Sequence, residues 1–222
     1  MLTLAVDTTA EFGSIALADD SGTIEEVLMH ETQGFSAVLF AQIDALLRRR
    51  DVAPGDIGLF AGASGPGSFT GVRVGLAAIK GLAEVMNKPA AAVSNLAAVA
   101  SFGTAKLRAA VIDARRGEVY GALYNAKGHP VIEETVISFP GFLALLEGHD
   151  FEWICADFSP FAPAITGTTF DHMPVVTAPR GLAGAIAAIA LARLRAGEPC
   201  EAAAIEANYV RRSDAELLWK TF

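Results

Sequence analysis

Apolar and polar positions alternate at the start of the chain and predict three strands, Leu2–Val6, Gly13–Ala18 and Thr23–Met29. Asp19-Asp20-Ser21-Gly22 supplies turn chemistry between the last two. The period then changes. Val38, Leu39, Ile43, Leu46 and Leu47 recur at helical spacing and predict a helix over Ser36–Arg50. Ile57–Ala61 reads as a buried strand, and a second helix is expected from Ser68 to Met86, stopped by Pro89. A strand over Ala90–Val93 and a helix over Asn95–Ser101 complete the first half. The second half opens the same way, with strands Leu107–Ile112, Val119–Tyr124 and Val131–Ile137 and a helix at Phe139–Leu146. Trp153–Ala156 is a short strand, 157–179 is punctuated by proline and reads as irregular, and Gly181–Arg195 is a helix. From about Ile205 the pattern is mixed.

The order of elements therefore repeats. A gapless offset of 106 residues lays Asp7 on Asp113, Ala16 on Ala122, Leu17 on Leu123 and Gly22 on Gly128. In each copy an apolar strand ends in Asp, turns, and continues into an alternating strand and a glycine turn. A repeat of this length is not a solenoid. It predicts an α/β chain of two similar lobes, 1–103 and a smaller 104–222, with the tail from about 205 packing back on the first.

Composition narrows the class. The 222 residues are 52% hydrophobic and 19% charged, enough for a substantial core. The net charge of −8 makes the chain a poor lone binder of nucleic acid, because phosphate neutralisation needs clustered Lys and Arg. Cys155 and Cys200 form no CxxC, so neither a disulfide framework nor zinc spacing is present, as expected of a cytoplasmic protein. Met1–Asp7 lacks the basic region of a signal peptide, and the longest apolar run, Gly181–Ala192, is too short to span a bilayer.

Three places carry candidate chemistry. Asp7 and Thr8, at the end of the first strand, are candidates for holding a metal-bound phosphate; the alternative is that they satisfy backbone groups in their own turn. Asp113, Arg115 and Gly117 occupy the matching turn. The arginines there suit an anion or a partner's carboxylates, or else form a solvated tip with internal pairs. Third is Gly65-Pro66-Gly67-Ser68, which runs into a helix like a phosphate loop but lacks the GK[ST] lysine, since Val72-Arg73 follow Gly71. Behind it Gly71, Gly75 and Ala78 share one helical face and predict close packing against another helix. With Leu39, Ile43, Phe69, Val72, Val74 and Leu82 they make the expected partner surface. His30, His129, His149 and His172 form no HExxH or HxxxH pair, and no GxSxG is present, so no catalytic set and no metal site are expected.

The segments LAVDTTAEFGSIAL, GASGPGSFTGVRVGLAAIKGLA, AAVSNLAAVA and VIDARRGEVYGALY together resemble the bacterial TsaB (YeaZ) family over residues 2 to 125, with an echo at ANYVRRSDAE. The resemblance implies an actin-like ATPase fold of two RNase H-like lobes. It also implies a non-catalytic role in placing threonylcarbamoyl on the adenosine beside the anticodon of tRNAs. The implied partners are a TsaD-like transferase subunit, a TsaE-like ATPase and, for the free protein, a second copy; tRNA is met only through the complex. No cofactor is required of this chain, with ATP or ADP allowed for at a subunit interface. One departure is Phe35-Ser36-Ala37, where many members have His-Ser-Glu. The rival from another class is a stand-alone ATPase or sugar kinase of the same fold.

Overall fold

The computed structural model describes residues 1–32 and 34–210. Its contacts divide the chain into two units: Met1–Ala98 with Pro179–Ala207, and a second unit that begins at Val99 and takes in Ala178 and Asn208.

In the first unit β1 (Leu2–Asp7), β2 (Phe12–Asp19) and β3 (Gly22–His30) form an antiparallel meander. After a 3₁₀ turn at Phe35–Ala37 come α1 (Leu39–Arg49), β4 (Ile57–Gly65), α2 (Phe69–Met86), β5 (Ala90–Ser94) and α3 (Asn95–Ala100). The strands β4 and β5 run parallel to β1, giving a five-stranded sheet of order β3-β2-β1-β4-β5. Helix α2 starts where the sequence places its cap: the Ser68 hydroxyl accepts from Gly71 N at 3.3 Å. It ends at Asn87 in the left-handed region. Helix α1 starts later than its periodicity suggests: the 3₁₀ turn at Phe35–Ala37 takes up the residues before it, and Val38 at its N-cap makes no side-chain cap hydrogen bond.

The second unit repeats the pattern with β6 (Leu107–Arg115), β7 (Glu118–Asn125), β8 (Pro130–Ser138), α4 (Phe139–Leu146), β9 (Glu152–Cys155), α5 (Ala162–Ile165) and β10 (Val175–Thr177). The sheet order is β10-β9-β6-β7-β8, the same topology element for element. Its core is aromatic: Phe139, Phe142, Phe151, Phe158 and Phe170 surround Trp153, and Phe151 meets the indole edge-on at 4.9 Å. The irregular reading of 157–179 misses α5 and β10, both too short for periodicity to register.

The repeat is real in topology but not in gapless register. Asp7 pairs with Ser14 and Ala5 with Ala16, whereas Asp113 pairs with Val119 and Val111 with Gly121. The second hairpin is shorter by one residue. Past the turn, the offset that lays Ala16 on Ala122 and Leu17 on Leu123 is therefore one position out, which in a strand means the opposite face.

The last helix of the described chain, α6 (Ala183–Arg195), corrects the domain boundary. It packs across all five strands of the first sheet. Its N-terminal amides at Leu182 and Ala183 both donate to Ser14 Oγ, at 3.1 and 3.0 Å. Ala202 and Ile205 join the core of the same unit, and Lys80 Nζ donates to Ile205 O at 3.1 Å. Residues 179–207 thus belong with the first lobe, and the break falls at 98/99 rather than 103/104.

The two faces of the first sheet differ in side-chain size for this reason. Leu4, Val6, Ile15 and Leu17 face α1 and α2, while Thr3, Ala5, Ser14, Ala16 and Ala18 share the face that α6 covers. Thr3 is fully buried there, and its hydroxyl has no partner among the described residues. Thr3→Val keeps the shape and removes an unpaired polar atom, so it should raise unfolding free energy by about 1 kcal/mol in urea titration.

Candidate functional site

At the end of β1, Asp7 is buried, and both carboxylate oxygens are engaged within the lobe. Oδ1 accepts from Thr9 N at 2.9 Å and from Thr9 Oγ1 at 2.7 Å; Oδ2 accepts from Asn95 Nδ2 at 3.3 Å. Asn95, the first residue of α3, also donates to Thr9 Oγ1 at 2.8 Å and accepts from Gly65 N at 3.0 Å. One polar cluster thereby ties the ends of β1 and β4 to the start of α3. Burial pushes the Asp7 carboxyl above its ordinary value of 3.8, while the Thr9 and Asn95 donors pull it down.

The glycine turn meets the same hairpin. Ser68 N donates to Thr9 O at 2.6 Å, and Thr8 Oγ1 donates to Gly71 O at 2.7 Å. A β-carbon at Gly67 would stand 2.5 Å from Thr9 O; one at Gly71 would overlap Thr8 O; one at Gly75 would stand 2.6 Å from Thr8 Oγ1. The glycines let the β1–β2 hairpin lie directly on the start of α2. A phosphate does not fit the Asp7–Thr8 turn: the carboxylate is committed to Thr9 and Asn95, and the glycine cradle is filled by the chain's own Thr8 and Thr9. The turn-chemistry alternative for Asp7 and Thr8 is the one the geometry supports.

This corrects the expected partner surface. Leu39, Ile43, Val72, Gly75 and Ala78 are buried, all but Gly75 as members of the lobe's hydrophobic core. Val74 and Leu82 are partly buried against that core, and Gly71 is half-buried beneath Thr8. Phe69 alone of the set is exposed, at 47%, with the Arg73 guanidinium 3.4 Å above its ring. The face of α2 that meets solvent is the opposite one. Thr70, Arg73, Ala77, Gly81 and Glu84 follow each other at spacings of three and four, and Val85 beside them is 80% exposed. A β-carbon at Gly81 would meet nothing within 4 Å, so no contact within the lobe requires a glycine there. Between α1 and α2 lies an apolar cavity of about 370 Å³ lined by Leu4, Ile43, Leu47, Phe60 and Leu82, with Phe40 of α1 56% exposed beside it. Phe40 and Val85 break the polar side of their helices, and that was the signal available in the sequence.

In the second lobe, Asp113 Oδ1 accepts from Arg115 N at 2.7 Å and Oδ2 lies 3.5 Å from Arg115 Nη1. Arg115, Arg116 and Gly117 all have positive φ (65°, 57° and 76°); Arg116-Gly117 makes the tight two-residue tip closed by the Arg115–Glu118 pair, and the bulge between Asp113 and Arg115 falls at Ala114. Elsewhere, burial pushes the Cys155 thiol up to about 11, which leaves it protonated and unreactive. His30 Nε2 lies 2.8 Å from Glu11 Oε1 at an exposed position. Among the described residues no group of three or more His, Cys, Asp or Glu could hold a metal, and no helix is long and apolar enough to cross a membrane.

Two lobes with one strand order, each a meander followed by parallel strands, define the actin-like α/β class. Solved structures agree. A Pseudomonas aeruginosa protein described as similar to the peptidase YEAZ matches with a TM-score of 0.79 and 26% identity, covering 95% of this chain and 99% of that one. YeaZ from Pseudomonas aeruginosa matches at 0.73 and 25%, covering 94% and 99%. The family model for TsaD, tRNA N6-adenosine threonylcarbamoyltransferase, matches residues 31–152. The tRNA threonylcarbamoyladenosine biosynthesis protein TsaB of Bacillus subtilis is 34% identical over 155 residues, 68% of each chain. That of Escherichia coli is 37% identical over 129 residues, 56% of this chain and 55% of its own. The chain belongs to the TsaB (YeaZ) family.

Proposed function

We propose that this chain is a non-catalytic scaffold, acting in the cytoplasm, for threonylcarbamoyl modification of the adenosine beside the tRNA anticodon. It pairs with a TsaD-type transferase subunit through the outer face of α2 and the neighbouring part of α1, and in isolation uses the same face for a second copy. The observation that carries this is the exposed helix face itself: Phe69, Val85 and Phe40 stand in solvent beside a mid-helix Gly81 that nothing in the lobe requires. Glycine inside a helix costs about 1 kcal/mol against alanine, and an approaching backbone would justify it. A TsaE-type ATPase joins the assembled pair, tRNA is reached only through the complex, and any ATP or ADP binds where subunits meet.

Gly81→Arg tests the reading without disturbing the fold, because the added side chain enters open space. The variant should keep its melting temperature within about 2 °C of the parent. It should fail to co-elute with a TsaD-type subunit in size-exclusion chromatography. An unchanged heterodimer peak would sink the proposal. The rival ATPase reading predicts ATP–magnesium binding by the isolated chain in calorimetry.

A further inference from the structure

Each lobe turns the tip of its first hairpin toward the crossover that follows the fourth strand of its meander-plus-parallel pattern. In the first lobe that seat is full. The turn before α2 and its first residues press on Thr8 and Thr9, and a β-carbon at Gly13 would stand 2.8 Å from the Phe35 ring. In the second lobe the crossover from β9 to β10 carries only α5, four residues long. Beside the β6–β7 tip it leaves a cavity of about 330 Å³. Phe139, Pro140, Pro160 and Phe161 give it apolar walls, and Arg115 and Arg116 border it from the tip.

The arginines are poorly explained by the hairpin alone. Both hold left-handed backbone, which Gly or Asn adopts at less cost. The Arg115 side chain is 82% exposed, with Asp113 no nearer than 3.5 Å. Arg116 has no hydrogen bond or ion pair among the described residues. The backbone donors that a phosphate would recruit are committed: Arg115 N to Asp113, Phe139 N to Gly117 O at 3.3 Å, and Gly141 N to Ser138 Oγ at 3.3 Å. Asp113 and Glu118 also border the cavity and would repel a dianion more than a single carboxylate. A guanidinium fork, by contrast, suits a carboxylate without help from the backbone.

We propose that this cavity docks an acidic segment of a partner protein, with a Glu or Asp side chain held by Arg116 and a neighbouring apolar side chain against Phe139 and Phe161. The site is separate from the α2 face and does not depend on it. The test is an NMR titration of the isotopically labelled full chain with the peptide acetyl-Glu-Leu-Glu-Phe-Glu-amide. Shifts should be confined to 113–118, 139–140 and 160–164. The affinity should fall at least about tenfold in Arg116→Glu and in Arg116→Gly, with a melting temperature no lower in the glycine variant. The proposal is overturned by equal binding of the Gln-for-Glu peptide or by unchanged affinity in both variants. It is equally overturned if inorganic phosphate or a short oligouridylate displaces the peptide, which would assign the site to phosphate or RNA.

Discussion

Replacing Gly75 with arginine unfolds the first lobe rather than freeing it from partners. The position is buried, and even the β-carbon would stand 2.6 Å from Thr8 Oγ1 and 3.6 Å from Val6 Cγ1. Thr8 cannot yield cheaply, because its hydroxyl is bonded to Gly71 O and its carbonyl lies over Gly71. An arginine adds overpacking and an unpaired buried charge, together costing about 4 kcal/mol or more. The melting temperature should drop by about 10 °C or more, read by circular dichroism. Gly71→Ala is the sharper companion. In a free helix this change stabilises by about 1 kcal/mol. Here it drives a methyl into Thr8 O, so it should destabilise by about 2–4 kcal/mol. Melting temperatures equal to the parent's in both variants would mean that the hairpin does not rest on α2 as described. A substitution at Gly75 thus cannot report on pairing, which is why Gly81 is the position to use.

Asn95→Ala should cost about 3 kcal/mol, and the loss should depend on pH. The amide side chain holds Gly65 N, Thr9 Oγ1 and Asp7 Oδ2 together in a buried setting, and alanine leaves each without that partner. The sign of the pH effect follows from Asp7. Its folded carboxyl binds its proton more tightly than the unfolded one, so stability is full below the ordinary value of 3.8 and is lost as pH rises through the raised folded value. Asn95 is one of the donors that opposes this rise. Without it the folded value climbs further, and the deficit of the variant should be larger at pH 7 than near pH 4. Urea titrations at the two pH values check this; a deficit independent of pH would remove Asp7 from the account.

Much of the fold could be read from residue pattern. The meander, the cap at Ser68, the glycine turn and the repeated order of elements are all local features, and local chemistry specifies them. Contacts between distant parts of the chain were less legible. The stripe of Gly71, Gly75 and Ala78 announces a close approach, but its period does not say by what; the answer, Thr8, lies far upstream. Leu39, Ile43 and Val72 carry the same ambiguity, since an apolar helix face fits a lobe's own core as well as a partner's. Asp7 was legible as a special position, and Asn95, its partner in the buried cluster, was not: a lone Asn at a helix start reads as an ordinary cap. The slip between the two hairpins was hidden because alanine and leucine identities survive a gapless offset by composition alone. The final stretch of the ANYVRRSDAE echo lies outside the described residues.

The placement of α6 also sets an order of events during synthesis. The strands of the first sheet leave the ribosome early, yet the helix that covers their small-residue face is made only after Val99–Ala178, the main body of the second lobe. Until then Ala5, Ala16 and the hydroxyl-bearing Thr3 and Ser14 have no lid, and a nascent chain ending before Pro179 presents an open sheet. The second lobe is continuous between Val99 and Ala178 and can close while the ribosome is still working. The lobe begun first therefore closes only after the main body of the second has been made.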